Sequence, residues 1–192
     1  MTLAKKTDNN KYTLQDYLAW PDNERWELVD GTAYDMTPAP GTKHQSVVGA
    51  IYSLFRIALS GGPCMAFIAP TDVVLSEYDV VQPDVLVVCD KGKITSANIQ
   101  GAPDLVVEVL SPSTALKDKR EKKALYEKHG IREYIIIDPT ELYVERFVLK
   151  SGSYGAPDIM GPEEVLILRS IEGLEVRLSE VFETEALKQQ KP

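Results

Sequence analysis

Glu108 stands inside the apolar run Leu105, Val106, Val107, Val109 and Leu110. Such a run predicts a strand buried on both faces, and an ionised carboxylate placed there needs a partner, a metal ion or a proton. Asp84, 24 residues earlier, opens a second apolar run, Val85 to Val88, after Gln82-Pro83. Adjacent strands lie about 5 Å apart, so two such acids on neighbouring strands can share a cation. Mg²⁺ takes hard oxygen ligands and keeps several waters. Asp84, Glu108, the backbone carbonyl of Val109 and the phosphate oxygens of a substrate therefore form a sufficient set for Mg²⁺ or Mn²⁺.

Phosphate chemistry also calls for a positive group beside the attacked centre. Residues two apart on a strand share a face, but the position that would stand beside Glu108 is Leu110. The next helix supplies the cation instead. Asp118, Lys122 and Tyr126 follow one another at i, i+4 and i+8, hence on one helical face, and Lys122 is expected to reach over the strand end. Each residue also has a structural reading: Asp84 as a turn cap, Glu108 as a buried partner of Lys122, and the basic helix as a solvated face.

The elements that must hold these groups follow from periodicity and breakers. Thr13 caps a short helix that Pro21 ends, and Asp30-Gly31 between two alternating runs predicts a hairpin. A loop, TPAPGT, leads to a helix that Gly61-Gly62-Pro63 stops, and CMAFIAP, TDVVLS and DVLVVCD read as strands. The segment 104–138 reads as strand, helix, strand, with Gly130 as the helix stop, and so as a parallel βαβ unit. Further strands and a closing helix complete an α/β (α+β) fold, a mixed central sheet flanked by helices.

The 192 residues suit a single domain over 1–192 with its core at about 12–150; residues 1–10 and 187–192, with the tail KQQKP, are expected to be flexible. Apolar stretches are too short for a membrane span and the N-terminus lacks a secretion signal, which predicts no membrane partner and a cytoplasmic location. Cys64 and Cys89 lack CxxC spacing and read as packed thiols. The net charge of −8 argues against a generally basic, nucleic-acid-coated surface, yet residues 117–132 hold seven Lys and Arg against three Asp and Glu. That segment is expected to contact a nucleic-acid backbone. Leu28 stands where haloacid-dehalogenase-like phosphatases carry their nucleophilic Asp, which rejects LVDGT as such a motif.

The acids QPD and EVL, together with ELVDG, KHQ, PDLVVEVLSPST and DKREKKALYEKHGIREYIIIDP, resemble the restriction-endonuclease family called Uma-two. That family lies within the PD-(D/E)xK nuclease superfamily, and here the last lysine of the superfamily pattern is displaced. The resemblance runs over roughly residues 12 to 150. It implies a restriction-endonuclease-like core, Asp84 and Glu108 as metal ligands and Lys122 as the catalytic lysine. By the same resemblance Glu27 corresponds to an additional acidic residue, and His44 and Gln45 line the cleft. The expected function is Mg²⁺-dependent endonucleolytic hydrolysis of DNA by a homodimer; the alternative is a catalytically degenerate nucleic-acid-binding or assembly module of the same fold.

Overall fold

The computed structural model describes residues 11–21, 23–36, 39–112 and 115–183. The segments 1–10 and 187–192 expected to be flexible, Thr37 and Pro38 of the expected loop, and the end of the EVLSPST motif at Ser113 and Thr114 lie outside the described residues. Thr13 caps α1 (Leu14–Leu18): its hydroxyl accepts from the Asp16 N–H, while the Asp16 carboxylate takes the Thr13 N–H at 2.8 Å, a reciprocal capping box. Asp30 and Gly31, at φ 51° and 73°, turn β1 (Trp26–Val29) into β2 (Thr32–Asp35) as the Asp-Gly pair predicts. The long helix α2 (Thr42–Ala58) follows.

Next come β3 (Met65–Ile68), β4 (Val73–Ser76), β5 (Asp79–Val81), β6 (Val85–Val88), β7 (Ile99–Gln100) and β8 (Leu105–Val109). A helical run then passes through α3 (Ala115–Lys117), a π-helical stretch (Asp118–Lys122) and α4 (Lys123–Lys128), stopped by Gly130 at φ 75°. The chain returns as β9 (Glu133–Asp138), β10 (Tyr143–Val148), β11 (Asp158–Met160), β12 (Val165–Ile167) and β13 (Glu175–Arg177), and α5 (Leu178–Val181) is the last described element.

The fold is α+β with a mixed sheet flanked by helices, as expected, and the described residues form three sheets. A six-stranded sheet runs β11-β10-β9-β8-β6-β3, a five-stranded one β2-β1-β5-β4-β7, and β12-β13 form a ribbon. The expected βαβ unit is present, with β8 and β9 parallel. Alternation along β8 explains its unbroken apolar run. Leu105, Val107 and Val109 join a core with α2 and α5, whereas Val106 and Leu110 join a second core with Leu125 and Tyr126 of α4 and Val29, Val73 and Val81 of the five-stranded sheet. Glu108 falls on that second face, beneath the helical run. Leu28, Ala33, Val74 and Val80 pack with the residues of α1 on the outer side of the five-stranded sheet.

One expectation is corrected. Cys64 and Cys89 are not packed thiols but a disulfide, since the register Met65↔Val88 brings the residues just outside β3 and β6 face to face. Much of the charge of the basic segment is matched within the chain, while Arg120 is exposed. Lys117, Lys119, Lys122, Lys128 and Arg132 all pair with Asp or Glu of this same chain, and Lys123 lies 4.2 Å from the centre of the Phe147 ring.

Candidate active site

The β6–β8 register pairs Val85 with Val107. One step beyond, Asp84 stands opposite Glu108, and residues opposed on antiparallel strands present their side chains on one face with Cβ atoms about 5 Å apart. Asp84 is fixed there by the Val109 N–H, which donates to its Oδ2 at 2.8 Å. Its side chain keeps 19% of its surface open to solvent, whereas Glu108 and Lys122 are buried.

Lys122 reaches Glu108 from the helical run, with Nζ 2.8 Å from Glu108 Oε1. The same ammonium lies 2.8 Å from Glu27 Oε1 and 3.9 Å from Asp118 Oδ1. Burial works against its charge, but Glu108, Glu27 and Asp118 outweigh that and hold its pKa well above the ordinary lysine value. Tyr126 completes the helical face, its hydroxyl donating to Glu108 Oε1 at 2.7 Å. Leu110 packs into the apolar cluster instead of serving the acids.

Glu27 is fully buried and touches no solvent. Its Oε2 pairs with Lys117, its Oε1 with Lys122, and the backbone N–H of Gln82 donates to Oε1 at 2.9 Å. Burial pushes the carboxyl up, yet the two ammonium groups prevail and bring it down to about 2. Glu108 meets the reverse balance. Burial comes first, Lys122 pulls down, and the charges of Asp118, Asp84 and Glu27 add to burial, so this carboxyl is pushed up to about 8.

His44, in the first turn of α2, places Nε2 3.2 Å from Asp84 Oδ2 and hydrogen-bonds the Val109 backbone. It therefore contacts two of the three groups assigned to the metal. Burial opposes its charge, but Asp84, Val109 and Asp118 raise its pKa. Gln45 is exposed on α2, and no hydrogen bond ties it to the cluster among the described residues.

Lys117 was not legible as a site residue; it is buried between Glu27 and the Tyr34 ring, whose centre lies 5.1 Å from Nζ. Gln82, which opens QPD, ties Glu27 to the Asp84 segment. Its place two residues before the acid was the available signal.

Among the described residues no three His, Cys, Asp or Glu side chains are grouped to hold a metal by themselves. What is present is two carboxylates and a carbonyl, a hard-oxygen set that fits a hydrated Mg²⁺ or Mn²⁺. The charge crowding that pushes Glu108 up is the crowding a divalent cation offsets.

The comparisons agree with this architecture. An uncharacterized protein of Synechocystis sp. (strain ATCC 27184 / PCC 6803 / Kazusa) is 32% identical over 144 residues, covering 71% of this chain and 74% of its own. The crystal structure of a "putative nuclease belonging to DUF820" from Anabaena variabilis ATCC 29413 superposes with a TM-score of 0.74 at 19% identity, covering 89% of this chain and 97% of that one. It establishes a shared fold. The model of the Uma2 family, described as "Putative restriction endonuclease", matches residues 14–179, and the chain belongs to that family.

Proposed function

We propose that this protein is a metal-dependent endonuclease that hydrolyses DNA phosphodiester bonds. The observation that carries the reading is the Lys122 ammonium, brought from a helix to 2.8 Å from Glu108 on the face that Glu108 shares with Asp84. Asp84, Glu108 and the Val109 carbonyl would hold Mg²⁺ or Mn²⁺. When bound, that ion supplies Lewis acidity and a lowered water pKa. Lys122 has three N–H donors. Among the described residues two are engaged by Glu27 and Glu108, and the third would orient a water or a phosphate oxygen. Glu27 is a positioning residue that acts through Lys122. The family description supports DNA as the substrate.

Two copies would let a homodimer cut both strands. No helix among the described residues is long and apolar enough to cross a membrane, which is compatible with the cytoplasmic location expected from the sequence. Purified protein is expected to nick plasmid DNA with Mg²⁺ or Mn²⁺, and Asp84→Ala, Glu108→Ala and Lys122→Ala are each expected to abolish nicking. Calorimetry should show metal uptake that the two acid variants lose. A second reading, a catalytically degenerate binding or assembly module, is favoured by one observation: Lys122 and Glu108 are buried against each other, and only Asp84 is open. Absence of both metal uptake and nicking selects it.

A further inference from the structure

The segment that carries Asp84 also holds a guanidinium. Gln82 is buried, and its side-chain amide is fully used: Nε2 donates to Asp72 Oδ1 at 2.8 Å and to the Tyr17 hydroxyl at 3.3 Å. Its Oε1 accepts from Arg25 Nε at 3.2 Å and from Arg25 Nη2 at 2.9 Å. The Asp72 carboxylate needs a donor, so it fixes which end of the amide faces Arg25. The Gln82 backbone N–H, bonded to Glu27, anchors this segment against the buried ion pairs.

Arg25 is half-buried, and among the described residues no carboxylate pairs with it. Two of its five N–H donors go to Gln82, which leaves three without an acceptor among those residues. Arg132 and Arg146, by contrast, are neutralised by Asp104 and Asp158. Met36 N–H donates to the Arg25 carbonyl at 2.9 Å, which extends the β1–β2 ladder to position 25. Arg25 thereby shares a strand face with Glu27, the face whose carboxylate meets Lys122.

A guanidinium oriented by a neutral amide keeps its charge and its remaining fork for a ligand, and planar fork geometry suits phosphate oxygens. The need is local: the site is rich in carboxylates, the chain carries −8, and four lysines of the basic helix are spent on acids of this chain, with Arg120 exposed on its surface. We propose that Arg25 is a substrate-contact residue whose free N–H groups grip a phosphate of the nucleic-acid strand entering at Asp84, with Gln82 as the positioning residue that aims it. The assignment rests on the nuclease reading above. A merely structural Arg25 would tie the start of β1 to residue 82 and leave nucleic-acid affinity unchanged.

The test is binding of a labelled DNA duplex over a series of salt concentrations, with Ca²⁺ in place of Mg²⁺, alongside metal uptake by calorimetry. Arg25→Met is expected to reduce the slope of log affinity against log salt by about one phosphate contact and to weaken binding about tenfold near 0.1 M salt, with metal uptake unchanged. Arg25→Gln reads the same slope if the methionine variant does not fold. Gln82→Leu keeps the charge and removes its aim; it is expected to raise KM several-fold with the salt slope retained. A folded, metal-binding neutral variant with wild-type slope and affinity overturns the assignment, and an unchanged KM in Gln82→Leu overturns the positioning role. Wild-type protein lacking both metal uptake and DNA affinity overturns the nuclease reading, and this assignment with it.

Discussion

Two buried carboxylates anchor the same helical run from opposite ends, and their surroundings differ. Asp79, at the start of β5, receives the Asp30 N–H at 2.7 Å, the Ser76 hydroxyl at 2.8 Å, His129 Nε2 at 2.8 Å and Lys128 at 3.3 Å. Burial raises its pKa, but those partners outweigh burial and hold it below the ordinary aspartate value. Among the described residues Glu108 has two donors, Lys122 and Tyr126, both on one oxygen, and three acids whose charges press on it. The first acid is a satisfied tie between a hairpin and a helix end. The second is held against burial and like charge, an arrangement that a protein pursuing stability alone would relieve.

The strongest way to break this contrast lies between the two. Glu27→Gln removes the carboxylate shared by Lys117 and Lys122 and leaves two buried ammonium groups without it. A loss of about 3–5 kcal/mol in chemical denaturation is expected. A loss below about 1 kcal/mol would mean that water or Asp118 takes over the charge. Asp79→Asn comes next, at about 2 kcal/mol, through charge-assisted hydrogen bonds lost from a buried site. Its pH dependence has a definite sign. The folded pKa of Asp79 is depressed below the ordinary 3.8, so its stabilisation is present above that value and is lost as pH falls through the folded pKa. The wild type should lose stability relative to Asp79→Asn on acidification below about pH 4, measured by denaturant midpoints in a pH series.

How much of this was readable in the chain depends on whether the signal was local. Thr13, Asp30-Gly31 and Gly130 act through their own backbone conformations, and each falls where its turn or cap was expected. The opposition of Asp84 and Glu108 is a register fact, yet the two apolar runs hinted at it by both being strands. Lys117 had no such hint. Five residues from Lys122, it stands about 140° away on an α-helix. The π-helical stretch, with its i→i+5 bonding, turns the two lysines onto Glu27 together. The short strands β5 and β7 escaped because three and two residues carry too little alternation to be read. The disulfide needed the pairing of β3 with β6, which no spacing in the sequence encodes.

The smallest effect is also the most discriminating. Glu108→Gln is the same chemical swap as Glu27→Gln, at another buried acid that touches the same ammonium, and it is expected to have the opposite sign. The folded pKa of Glu108, about 8, lies above the ordinary 4.5, so its ionised form opposes folding at neutral pH. What the protonated group contributes is fully present below about pH 4.5 and is lost as pH rises through 8. A neutral amide keeps an acceptor for Lys122 and Tyr126 and removes the repulsion from Asp84 and Asp118. In EDTA at pH 8, the variant should therefore gain roughly 1 kcal/mol over the wild type, with metal uptake lost in the same protein. A destabilised variant would mean that the Lys122 pair outweighs the crowding, and Glu108 would then belong with Asp79 as a structural tie.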